Sequence, residues 1–175
     1  MLDLNADAPP FALDGIEQGK PGRWSLSDFK GRWLVLFFYP ADFTFVCPTE
    51  VKGFNALRAE FAAAGAAVVG VSVDDVESHR AWAEELGGVA FPLLADPTRA
   101  TCRAYSVLNA AEDRAYRATV IVSAEGKIAY EVVSPMNVGR SVEETLRVVQ
   151  ALGTGRLCPA GWKPGEKTAD PGQRY

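Results

Sequence analysis

The spacing of apolar positions changes along the chain, and each change marks an element. Trp33 to Tyr39, "WLVLFFY", is apolar without interruption, the pattern of a strand covered on both faces. Val51, Phe54, Leu57 and Phe61 then recur every three or four residues. That predicts one helix face, ending near the Gly65 of "AAAGAA". "AVVGVSV" (67–73) predicts a second buried strand. "DVESHRAWAEELGG" predicts a second helix stopped by paired glycines, with Glu84 and Glu85 on its exposed face. "FPLLAD" predicts a short extended piece, and "PTRATCRAYSV" a brief helix opened by Pro97. "ATVIVS" and "KIAYEVV" flank "AEG", which predicts a hairpin. "SVEETLRVVQAL" opens on Ser141 with Glu144 three residues later, a capping-box pattern. Its apolar positions Val142, Leu146 and Val149 line one side.

Upstream of these, "LDGIEQGKPGRWSLSDFKGR" carries Gly, Pro and charge at turn spacing and predicts a loop or small hairpin. Strand, helix, strand, helix, hairpin and a last helix make an α/β fold. A central mixed sheet with helices on both faces accommodates that order, in the thioredoxin-like plan with an N-terminal extension. No repeat or linker divides residues 1–152. From Gly153 to Tyr175 the chain is rich in Gly and Pro, which predicts a mobile C-terminal tail.

The 175 residues, 48% hydrophobic and 23% charged, suit one folded domain. A net charge of -4 argues against a nucleic-acid partner, which requires a basic face. Three cysteines are too few, and odd in number, for a disulfide-scaffolded domain. The start "MLDLNADAPPF" lacks the basic and apolar regions of a signal peptide, and "WLVLFFY" is too short to cross a membrane. These features predict a cytoplasmic protein without a membrane partner, in a reducing compartment where a reactive thiol needs a reductant. No cofactor is implied. With its cysteines far apart and one histidine, the chain offers no metal-ligand spacing.

Against that background "FYPADFTFVCPTE" sets Cys47 where the first strand gives way to the first helix. A cysteine in a first helical turn meets unsatisfied N–H groups and the positive end of the helix dipole, which favour thiolate. Pro48 loses no hydrogen bond there. Ionisation alone gives limited help. An ordinary thiol is about 3% ionised at pH 7, so full ionisation raises a rate by at most about 30-fold. Lowering the pKa also weakens the nucleophile. A fast thiol enzyme must therefore also act on its substrate through donors around the sulfur. Thr44, three residues earlier, and Pro40, a wall without an N–H, stand close in sequence. Glu50, one helical turn on, can hold an arginine.

"PADFTFVCPTE" fits the PxxxTxxC motif of peroxiredoxins, and its VCPTE ending resembles the typical two-cysteine class, the alkyl hydroperoxide reductase C and thioredoxin peroxidase family. The similarity continues through "SDFKGRWLVLFFYP", "RATVIVS", "NVGRSVEETLRVVQAL" and "CPAGWKPGEK", nearly the whole chain in family order. The resemblance implies a thiol peroxidase in which Cys47 is the peroxidatic cysteine and Cys158 the resolving one. It implies that Pro40, Thr44 and Arg117 complete the active site, with Glu50 as a bidentate partner orienting Arg117. Cys47 is then oxidised to sulfenic acid by hydrogen peroxide or an organic hydroperoxide. An intersubunit Cys47–Cys158 disulfide follows, and a thioredoxin-like or flavoprotein reductase resets it. Homodimers, and decamers of five dimers, belong to the same implication. Arg140 in "VGRS" matches a family arginine close to the site. Trp82 matches a position near the pocket, where a core tryptophan fits as well.

Other residues carry plainer readings. Cys102 in "TRATCRAY" reads as a packing residue, and His79, among charges on a helix, as solvated. Peroxide-sensitive eukaryotic members carry a longer Gly-rich insert and a C-terminal helix ending in Tyr-Phe. Here "LGGVAFPLL" is short and the sequence stops at Tyr175, which predicts disulfide formation faster than overoxidation. Two alternatives stay open: a holdase chaperone or redox-relay sensor with incidental turnover, and a one-cysteine peroxidase with a passive Cys158. A general disulfide oxidoreductase is disfavoured because the chain has no CxxC.

Overall fold

The computed structural model describes residues 2–172; Met1 and 173–175, with Tyr175, lie outside the described residues. Its centre is the predicted "WLVLFFY" strand, β3 (Trp33–Phe38). β3 lies parallel to β4 (Ala66–Ser72) and antiparallel to β8 (Arg117–Val122). Outside β4 runs the parallel β5 (Leu93–Ala95), and outside β8 the antiparallel β9 (Ile128–Ser134). The N-terminal hairpin β1 (Ala12–Glu17) and β2 (Lys20–Ser25) adds to β5, giving seven strands in the order β2-β1-β5-β4-β3-β8-β9. Its two-residue turn, Gln18-Gly19, has φ of 50° and 75°, the positive pair that suits a tight hairpin.

Side-chain alternation in β3 divides the core into two layers. Val35, Phe37 and Tyr39 meet Val51, Phe54 and Phe61 from α1 (Cys47–Ala56) and α2 (Arg58–Ala63). Trp82 of α3 (Val76–Glu85) and Val142 and Val149 of α5 (Val142–Gly153) join the same layer. Leu34, Leu36 and Phe38 face the opposite way, against Cys102 of α4 (Ala100–Ala104), Tyr105, Phe11 and Phe29. The mixed sheet with helices on both faces is therefore present.

Several local expectations shift. The first predicted helix is interrupted at Leu57, so α1 and α2 share its length. Pro97 does not open α4. It sits in a turn ended by Arg99 at φ of 59°, a left-handed residue that keeps the helix from starting earlier. Asp96 instead accepts the Cys102 N–H at 2.8 Å. The capping box is half formed, because Ser141 Oγ accepts the Glu144 N–H at 3.1 Å while the Glu144 carboxylate pairs with Arg147. A small two-stranded ribbon, β6 (Leu108–Asn109) and β7 (Arg114–Ala115), gave no sequence signal. No helix among the described residues is long and apolar enough to cross a membrane.

Among the described residues after α5 the chain has turns and one bridge, Leu157 with Ala169, closed by hydrogen bonds of 2.9 and 3.0 Å. Trp162 is buried, and its carbonyl accepts from Arg147 at 3.3 Å. An Arg156–Asp170 ion pair adds a further tie.

Candidate active site

β3 ends beside β8 with Phe38 opposite Ala118, so Arg117 enters next to the segment leading from β3 into α1. Cys47 is the first residue of α1 and is fully buried. Val46, at the cap position, supplies no side-chain hydrogen bond. Pro48 has no N–H and the Thr49 N–H donates to the Val46 carbonyl at 3.0 Å, which leaves the Cys47 N–H as the first-turn donor without a partner among the described residues. Arg117 Nη1 lies 3.3 Å from Cys47 Sγ and donates to Glu50 Oε2 at 2.9 Å. Arg117 Nε donates to the Met136 carbonyl at 2.8 Å, while Nη2 has no protein partner among the described residues.

The resemblance implies a bidentate Glu50–Arg117 contact, and the geometry differs. Arg140 holds Glu50 with Nε on Oε1 at 3.0 Å and Nη2 on Oε2 at 3.1 Å, and its backbone N–H adds a bond of 2.9 Å. Arg117 reaches Glu50 through one nitrogen. Arg140 also donates to the carbonyls of Ala118 and Phe38, each at 2.6 Å, and to Thr119 Oγ1 at 3.3 Å. A guanidinium has five N–H donors, and all five of Arg140 are occupied. Its planar group also lies over Phe37, 5.5 Å from the ring centroid.

Both guanidiniums are 4% exposed and Glu50 is 2% exposed. Burial alone pushes Glu50 up. The hydrogen bonds and charge of Arg140, then the charge of Arg117, outweigh burial and hold it below the usual carboxylate value. Burial pulls Arg140 down from its ordinary value, opposed by Glu50. The three charges sum to +1, and a Cys47 thiolate brings the cluster to neutrality.

Pro40 is buried at the end of β3. Thr44 is half-buried, and its hydroxyl donates to the Ala41 carbonyl at 3.2 Å rather than to the sulfur. Cys158 sits apart from this cluster, half-buried near the end of α5, with Sγ 3.4 Å from Thr154 Oγ1. Cys47, Cys102 and Cys158 are all free thiols. Cys102 is fully buried in the opposite layer, where burial, then Asp96, pushes its thiol well up.

His79 overturns its sequence reading. It is 0% exposed, with Nδ1 2.8 Å from Asp42 Oδ2. The signal lay in helix spacing, since His79 shares a face with the buried Trp82 and Ala83 three and four residues on. Asp42 was missed within "PADFT", where nothing in the local pattern distinguishes a buried carboxylate from a turn residue.

Residues 4–131 match the AhpC/TSA family. The chain belongs to that family. Peroxiredoxin-2 of Cricetulus griseus is 44% identical over 178 residues, covering 96% of this chain and 90% of its own length. Among solved structures, the reduced 2-Cys peroxiredoxin of Plasmodium vivax aligns with a TM-score of 0.89 and 31% identity, covering 94% of this chain and 91% of its own. AhpC of Enterococcus faecalis aligns with a TM-score of 0.85 and 37% identity, covering 89% and 98% respectively. The protein is a thiol peroxidase of the peroxiredoxin kind, with the thioredoxin-like fold.

Proposed function

We propose that this peroxiredoxin reduces hydrogen peroxide and organic hydroperoxides at Cys47 and completes its cycle through Cys158 of a partner subunit. The supporting observation is the Cys47 sulfur at a helix start, 3.3 Å from an arginine that a buried carboxylate holds in place. The thiolate attacks the nearer peroxide oxygen, the O–O bond breaks, and the departing oxygen takes up a proton to leave as ROH or water. Cys47 becomes a sulfenic acid. Arg117, whose Nη2 donors are unpaired among the described residues, and the Cys47 backbone N–H stabilise the charge that grows on the leaving oxygen, an interaction strongest in the transition state. Thr44, whose own proton is engaged by Ala41, accepts from the peroxide proton. Pro40 closes one side without offering a competing N–H.

The sulfenic acid then condenses with the Cys158 thiol, releasing water and forming the disulfide. Cys47 is fully buried and Cys158 belongs to a different element. A disulfide needs Cα atoms within about 7 Å, so the first turn of α1 unwinds and the ties at Leu157, Trp162 and Arg156 loosen. A thioredoxin-like or flavoprotein reductase returns two electrons and two protons. The working unit is a homodimer, which the family resemblance extends to a decamer of five dimers.

Non-reducing electrophoresis after one equivalent of peroxide tests this. A covalent dimer is expected from the unmodified protein and from neither Cys47→Ser nor Cys158→Ser. A dimer surviving Cys158→Ser overturns the resolving role, and peroxide consumption surviving Cys47→Ser overturns the whole reading.

A further inference from the structure

In the segment between β3 and α1, Pro40 is buried but both phenylalanines are largely exposed, the Phe43 ring centroid lying 6.4 Å from that of Trp82. Phe43 is 54% exposed and Phe45 is 94% exposed. Phe43 also has a φ of 53°, a left-handed conformation that is costly for an aromatic residue and persists only when its surroundings impose it. The adjacent residue supplies that imposition. Asp42 Oδ1 accepts from the Tyr39 hydroxyl at 2.9 Å, and Oδ2 accepts from Ser78 Oγ at 2.8 Å. His79 Nδ1 adds a contact of 2.8 Å to Oδ2, and the Asp42 backbone N–H donates to Asp74 Oδ2 at 2.9 Å. Asp74 is fixed in turn by Ser72 Oγ at 2.6 Å. Asp42 is thereby tied to the end of β3, the end of β4 and the first turns of α3.

The fully buried His79 ring commits its Nδ1 to Asp42. Its Nε2 is buried without a protein hydrogen-bond partner among the described residues, where buried polar atoms are ordinarily satisfied. Burial, then the Asp42 charge, pushes the Tyr39 phenol well up, so it remains a donor.

We propose that Asp42 is a positioning residue, holding the left-handed turn at Phe43 that sets the start of α1, and so Cys47, against Arg117. Resting on the reading of Cys47 as the peroxide-reactive thiol, this assigns to Asp42, Tyr39 and His79 the alignment of a sulfur none of them is bonded to. Peroxide attack requires the sulfur, the Cys47 N–H and Arg117 in register, and small misplacements lose large factors in rate. Alkylation of the same thiol needs no such register.

The test compares Asp42→Asn and Tyr39→Phe with the unmodified protein. It measures two rate constants of Cys47 in each, with hydrogen peroxide by stopped flow and with iodoacetamide by mass spectrometry. In Asp42→Asn the peroxide constant falls about tenfold or more while alkylation does not fall. Tyr39→Phe, which removes one donor and keeps the ring, gives about a threefold or larger loss in the same direction, the low end of one hydrogen bond's net contribution. Both constants falling together marks a general loss of structure and overturns the proposal. So does a peroxide constant that stays within threefold of the original in both variants. If Asp42→Asn does not fold, Tyr39→Phe decides. Peroxide consumption by Cys47→Ser reports separately on the underlying assignment.

Discussion

Glu50→Gln replaces the one anion shared by two buried guanidiniums with a neutral amide of the same shape. In the native site Glu50 accepts four hydrogen bonds, one from Arg117 and three from Arg140, at 2.9 to 3.1 Å. The variant leaves Arg117 and Arg140 facing each other without a counterion, and the amide nitrogen adds a donor where only acceptors fit. Breaking a buried ion pair by removing one partner costs about 3–5 kcal/mol. Total stability for a domain is about 5–15 kcal/mol, so the loss is a large fraction of it.

The same carboxylate makes that loss depend on pH. Glu50 is held below its ordinary carboxyl value in the folded state, so folding favours its ionised form. Its contribution is therefore fully present above the unfolded-state value and disappears as pH falls through the lowered folded-state value. Urea unfolding of the reduced protein, at fixed protein concentration and at several pH values from 7 down to 3.5, reads both effects. The gap between unmodified protein and Glu50→Gln should be about 3–5 kcal/mol at neutral pH and should narrow only below the ordinary carboxyl range. A gap under about 1 kcal/mol, the scale of a surface pair, or one that does not change with pH, refutes the coupling of Glu50 to the two arginines.

Arg117→Met removes the donor 3.3 Å from Cys47 Sγ; the peroxide rate constant should fall about 10²- to 10³-fold, the range for losing a transition-state donor, and stopped-flow kinetics check it. Gly53→Ala would bring a Cβ to 2.9 Å from Val142 Cγ2, where α1 crosses α5. Overpacking of about 1–3 kcal/mol should exceed the helix-propensity gain of about 1 kcal/mol, giving a net loss in thermal unfolding that a second change, Val142→Ala, recovers; net stabilisation by Gly53→Ala alone sinks the argument. Cys102, buried with its thiol pushed well up, should resist a thiol reagent at pH 8 in the native reduced protein and react after denaturation. Cys102→Ala should keep peroxide turnover within about twofold, as expected for a thiol that acts only as a small apolar side chain.

The elements were legible wherever burial imposes a period. "WLVLFFY" became the central strand because both its faces are covered, and "AEG" became a hairpin turn because Gly126 takes a φ of 83° there. Cys47 and Glu50 were legible as a pair because a helical turn fixes their spacing. The errors have a common cause in contacts between distant segments. Whether Glu50 grips Arg117 or Arg140 depends on where the chain before α5 returns to the sheet, 90 residues away in sequence. The charged neighbours of His79 suggest exposure, although the side of α3 facing the sheet decides its burial. Asp42 gave no signal because its partners come from β3, β4 and α3.

The two arginines show how the fold separates holding from acting. Antiparallel pairing places Phe38 opposite Ala118, and the carbonyls of both residues converge on Arg140. That guanidinium is saturated by strand ends and by Glu50, so it has no donor left for a substrate. Its effect is to make Glu50 immobile, with both carboxylate oxygens engaged. Arg117 begins β8 and leans on Glu50 through one nitrogen, which orients the guanidinium while leaving Nη2 unpaired among the described residues. A residue with unfilled donors beside a buried sulfur is costly to stability, and the cluster bears that cost only because Arg140 and Glu50 fix the rest. Exchanging the two roles would require a carbonyl pair beside Arg117 that the sheet does not provide.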